Sequence, residues 1–101
     1  IFWVPKEARW QHLKASARRM WERLRADYHI NDAAGLSLLQ AACESFQRAE
    51  DARATIDKAG AVLSDRFGQL KAHPACAIER DARGQMIAAL RALRLAPGDA
   101  E

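Results

Sequence analysis

The chain is poor in residues that punctuate or staple a fold. Its 101 residues include three prolines, five glycines and two cysteines. Cys43 and Cys76 stand far apart and match no C-x-x-C pattern, and no disulfide framework is expected. Both read as small buried residues in a reduced compartment. No stretch approaches the ~20 consecutive apolar residues that a membrane span needs, so no membrane partner is expected. The opening IFWVP is apolar but too short for a signal peptide, and no cleavage-type segment follows it. Large apolar side chains are also sparse. Half of the residues count as hydrophobic, yet only 7% are aromatic and many of the rest are alanine. That composition suits thin helices packed closely, or helices that share a core through oligomerisation. A chain of this length buries only roughly two-thirds of the surface that it exposes when unfolded.

Catalytic patterns are missing as well. There is no Gly-rich phosphate loop, no H-E-x-x-H, and no Ser or Cys in a nucleophile elbow. His12, His29 and His73 are isolated from one another and from the cysteines, so metal-ligand spacing is absent. The expectation is a non-enzyme with no metal and no cofactor. His73, before Pro74, reads as a helix-start residue. Glu79 and Asp81 read as acidic groups in the first turns of a helix, where they favour its dipole.

What is present is charge, unevenly placed, on a net of +3. Residues 1–30 carry seven basic and three acidic side chains, residues 31–60 three and five, and residues 61–101 six and five. A basic N-terminal end can bind nucleic acid through phosphates. A solvated helix face accounts for the same pattern.

The helical signal is strong. Trp10, Leu13, Ala17, Met20, Trp21, Leu24 and Tyr28 keep to one stripe of about 100°. Its flanks carry Lys14, Arg18, Arg19, Arg23 and Arg25, the first candidate phosphate contacts. Either one long helix begins near Pro5, or Ser16 caps a shorter one. HIND breaks the pattern, with Asn31 or Asp32 as N-cap of a second helix running to about Ala59 and stopped by Gly60. Leu39, Ala42, Phe46, Ala49, Arg53 and Ile56 alternate by three and four, the coiled-coil period. The seam is read first as the packing face of an antiparallel helix hairpin and second as a contact between subunits. The break at residues 29–32 could be the turn of a helix-turn-helix. The helix after it, AAGLSLLQAACESF, is too apolar and acidic to read a groove.

AVLSDRFGQLKAH is the only non-helical connection of any length. Val62 and Leu63 can pair with Leu70 and Lys71 across a turn at Arg66 to Gly68. Pro74 opens the last helix at its first turn. There Ala75, Ile78, Ala82, Met86, Ala89, Leu90 and Leu93 form a stripe of about 120°. Ile87 lies outside that stripe, placed to touch a second partner. The fold class is all-α: three helices, a long central one, and a short loop or β-hairpin before the last.

DRFGQLKAHPACAIERDARGQMIAALRALRLAP resembles the C-terminal half of the phage terminase small subunit family. The resemblance rests on the order of Gly60, Gly68, Lys71, His73-Pro74, Ala82-Arg83, Leu90, Leu93, Leu95 and Pro97. The family often has Asn where this chain has His73. Leu13, Ala17, Trp21 and Leu24 look like the family's first helix. The likeness covers residues 13–97 as a single domain; residues 1–12 do not match, and residues 98–101 form a short acidic tail. It implies a non-catalytic DNA-packaging adaptor of a tailed phage or prophage, in the bacterial host's cytoplasm. Its implied partners are double-stranded DNA, the large ATPase and nuclease subunit, and further copies of itself, commonly in a ring. Lys58, Arg66 and Lys71 then become a second candidate set of DNA contacts at the loop end. A helical interaction module without DNA affinity, or a small dimeric DNA-binding regulator, are the competing readings.

Overall fold

The computed structural model describes residues 12–95 together with 97 and 98. The order is α1 (Ala15–Tyr28), α2 (Ala33–Ala59), β1 (Val62–Ser64), β2 (Leu70–Ala72) and α3 (Pro74–Leu93). The expected all-α fold with a small hairpin before the last helix is what the chain forms. Pro5 and Trp10 lie outside the described residues.

Each helix boundary has a local cause. Lys14 precedes α1 without a side-chain cap, and Ser16 lies inside the helix. His29 ends α1 in the left-handed region (φ 52°), and its N–H and that of Ile30 point back to the Arg25 carbonyl. A non-glycine residue there is uncommon, although His is enriched among the exceptions. Ile30 then turns inward and is buried. Asp32, not Asn31, caps α2: its carboxylate accepts from the Gly35 N–H at 2.8 Å. A Cβ on Gly35 would stand 2.7 Å from Asp32 Oδ1 and 2.9 Å from Ile30 Cγ2, so the cap requires glycine.

Asp65 organises the turn of the hairpin. Its Oδ1 accepts from the N–H groups of Phe67 and Gln69, and its backbone bonds Gln69 and Gly68. Gly68 has φ 77°, which only glycine adopts at little cost. The strands pair antiparallel, Val62 with Ala72, Leu63 with Lys71 and Ser64 with Leu70. His73 caps α3 through Nδ1, which accepts from the Ala75 N–H at 2.9 Å, and Pro74 fills the first helical position.

The three helices run up, down and up. α3 packs along α2 more extensively than α1 does. One cluster joins Leu13, Ala17, Trp21, Ile30, Leu39 and Cys43, with Leu93 and Leu95 from the end of α3 packed on it. A second joins Ala52, Ile56 and Ala75 near the hairpin. Between them α2 and α3 bury small residues, Ala42, Ala49 and Ala82.

Two expectations need correction. Periodicity puts Ile78 on the packing stripe of α3, but it is 48% exposed. The inward position belongs to Glu79, which bonds Arg83 at 3.1 Å and lies 3.6 Å from Arg53 of α2. Glu79 therefore ties helices together as well as suiting the dipole. Cys76 is only half-buried, with its thiol directed to the Ala61 carbonyl.

Replacing Trp21, whose side chain is fully buried, with alanine should destabilise the domain by about 3–5 kcal/mol; denaturant unfolding followed by circular dichroism measures it. Burial pushes the Cys43 thiol up to about 12, with Glu44 adding to it. In the native protein at pH 8 a thiol reagent should therefore label Cys76 and spare Cys43 until denaturant is added.

Candidate nucleic-acid interface

α1 sets its basic side chains by helical geometry. Ala17 and Trp21 face α2 and are buried, so positions 15, 16, 19, 22, 23 and 26 face outward and are exposed. Arg19 and Arg23 fall four residues apart on that outward ridge. Among the described residues neither has a carboxylate within ion-pair distance. Their neighbours have other work. Lys14 Nζ binds Asp51 Oδ1 at 2.7 Å, and its backbone N–H donates to Gln47. With His12 Nε2 at 2.7 Å from Glu44, these contacts brace the start of α1 on the middle of α2. Arg18 is partly buried and donates to the Leu13 carbonyl at 3.1 Å. Arg25 is half-buried beside an open cleft with Glu22, Ala26, His29 and Asn31.

The second candidate set sits elsewhere. Lys58 is in the last turn of α2. Arg66 lies over the Phe67 ring at 4.9 Å, and Lys71 Nζ is 3.6 Å from Asp65 Oδ2. α2 has 27 residues, about 40 Å at 1.5 Å per residue. The fold thus brings Arg19, Arg23 and Arg25 toward one end and Lys58, Arg66 and Lys71 to the other. They do not form one patch.

The coiled-coil seam is occupied inside the chain. Leu39, Ala42, Ala49 and Ile56 are buried and Phe46 is half-buried against the Trp21 cluster. Arg53 interrupts the seam by reaching out to Asp57 at 2.8 Å and toward Glu79, and the Asp57 carboxylate is the main cause that raises its pKa. Ile87 is 46% exposed on the outer side of α3.

Two basic residues escape a reading of the sequence alone. Arg91 and Arg94 are exposed at the end of α3, beside Leu93 and Leu95 that pack on the Trp21 cluster. They therefore share the end of the bundle where α1 finishes. Arg94 ends α3 in the left-handed region at φ 56°. The signal that could have found them is position, since basic residues in a last helical turn complement its dipole.

Among the described residues no three His, Cys, Asp or Glu side chains gather as a metal site. No described helix is long and apolar enough to cross a membrane.

The candidate interface is a helix face with exposed arginines, braced on a buried tryptophan, and among the described residues no metal-holding cluster lies beside it. Comparison with known proteins agrees with what this arrangement can do. No curated protein and no solved structure matches the chain. A family profile described as "Phage terminase, small subunit" matches residues 14–100, which spans α1 through the end of α3. The match includes both arginine-bearing ends and the hairpin, and with it the chain takes a role in phage DNA packaging: it belongs to the phage terminase small subunit family.

Proposed function

We propose that this protein is the DNA-contacting, non-catalytic adaptor of a phage packaging complex. It binds double-stranded DNA, assembles with copies of itself into a ring, and delivers the DNA to the large subunit that carries ATPase and nuclease activity. It does so in the cytoplasm of the bacterial host. Family membership supports the packaging role. The observation that carries the DNA contact is the pair Arg19 and Arg23, exposed, four residues apart and without carboxylate partners among the described residues.

Residues at i and i+4 lie one above the other on a helix, so their guanidinium groups can meet successive phosphates along one strand. Guanidinium binds phosphate through paired hydrogen bonds and keeps its charge at every working pH. Of the other residues on the ridge, Ala15, Ser16 and Ala26 are too short to reach base edges, and Glu22 carries a charge that phosphates repel. Binding by this face is therefore positional rather than sequence-reading.

Lys14 and Lys71 contribute less, because each already has a carboxylate partner. Arg18 is held by its own backbone contact. This ranking separates the α1 face from the hairpin end.

A salt titration of DNA binding checks it. Removing one phosphate contact lowers the slope of log affinity against log salt by about 0.9, so Arg19→Ala with Arg23→Ala should lower it by about 1.8. An Arg66→Ala, Lys71→Ala variant should leave the slope near that of the parent. The opposite pattern would place the DNA at the hairpin end.

A further inference from the structure

Among the described residues, large apolar side chains are left uncovered mainly at one end. Val62 is 58% exposed, Phe67 74% and Leu70 76%, with Leu63 and Ile78 exposed beside them. All of these belong to the hairpin or the first turns of α3 after it. Val62 and Leu70 share one face of the hairpin, and exposed apolar side chains gathered at one end of a domain suit a contact site.

The backbone of the hairpin points the same way. The His73 N–H donates to the Ala61 carbonyl at 2.8 Å, and the Asp65 N–H donates to the Gln69 carbonyl at 2.9 Å. These rungs set the phase of the ladder. In an antiparallel pair, residues between such rungs turn their N–H and C=O groups outward. Val62 and Ser64 therefore offer a free edge on β1, and Leu70 and Ala72 offer one on β2. The same four residues share one face of the hairpin, and every strand residue is exposed. A lone two-stranded hairpin is marginally stable at best in water. This one is nevertheless tightly specified by the Asp65 turn.

We propose that the hairpin is the contact surface between copies of this chain, which join by adding strand to strand at these free edges. The proposal rests on the oligomeric part of the reading above and names its surface. A second copy is the occupant that the geometry favours. Each copy carries both an outward β1 edge and an outward β2 edge, so the complement of every edge is present in the same protein. Lys71 is compensated by Asp65 within the hairpin, and Arg66 folds back over Phe67, so two hairpins meet without opposed like charges along their strands. The helix seam is not available for this purpose, because Leu39, Ala42, Ala49 and Ile56 are already buried in their own chain. Ile78, in the second turn of α3, is exposed as well.

Native mass spectrometry and sedimentation of the full chain test it, with two variants of different kinds. Val62→Lys with Leu70→Lys charges the apolar face. Ala72→Pro removes one outward N–H and leaves the β1–β2 rungs intact, since proline is tolerated on an edge. The parent should give multiples of the 11.3 kDa chain mass. Each variant should need at least about tenfold more protein to reach half-assembly, with helical circular dichroism retained. Hydrogen exchange on the parent reads the same edges without mutation: the amides of Val62, Ser64, Leu70 and Ala72 should slow as dilute protein is concentrated into the oligomer. An oligomer whose hairpin amides still exchange at the dilute rate overturns the hairpin as the surface while leaving the oligomeric reading intact. A parent that stays at the single-chain mass at all concentrations removes the oligomeric reading and this proposal together.

Discussion

The close packing of α2 against α3 is the constraint on which the rest of the molecule depends. It runs through small side chains, with Ala42, Ala49, Ala52, Ala75 and Ala82 all buried. Small residues let two helix axes approach to the lower part of the ordinary 8–10 Å range. Each buried methyl contributes little, so the contact must be long to be stable. A helix of 27 residues supplies that length. Polar ties run alongside: Arg48 to Gln85 at 3.1 Å, and Arg53 toward Glu79 at 3.6 Å. The bulkier core is gathered elsewhere, where Trp21 and Leu39 fill the space between α1 and α2. α1 is thus a brace on a two-helix rod. Its largest buried anchor is Trp21, with Ala17 beside it, and its start is pinned by exposed polar contacts that each contribute little on their own.

Much of this arrangement is legible in the residues. The period of three and four from Leu39 to Ile56 locates the long helix and its inner face. Gly60, Gly68 and Pro74 mark the chain reversal, and apolar residues on either side of the turn place the hairpin, while its register, Val62 opposite Ala72, is set by the Asp65 turn. Ile78 escapes such a reading because periodicity counts positions, while the chain chooses between neighbours. Glu79 stands on the inner side of α3, where Arg53 and Arg83 compensate its charge, and the stripe rotates so that Ile78 comes out. No one-dimensional pattern contains that pairing, because Arg53 arrives from another helix. The same holds for Lys14 and Asp51, which are distant in sequence. Charge counts place Lys14 among the free cations, and only the packing of α1 on α2 shows that it has a partner. Arg91 and Arg94 show the reverse. Their proximity to the end of α1 depends on α3 returning along α2, a tertiary fact.

The local caps show how strictly short segments are specified. The Asp32 carboxylate, the missing Cβ of Gly35 and the inward Ile30 act together, and no one of them could change size without moving the others. The hairpin depends in the same way on one carboxylate, that of Asp65, which receives two amides and also faces Lys71. Both places are turns at opposite ends of α2, and both orient the element that follows.

The length of α2 has a consequence for how the two ends can influence each other. At physiological ionic strength, charge is screened over about 8 Å, and α2 spans roughly five times that distance. The turn at the far end of α1, with Arg25, and the hairpin are therefore screened from one another. What joins the two ends is packing: the continuous alanine-lined contact of α3 along α2.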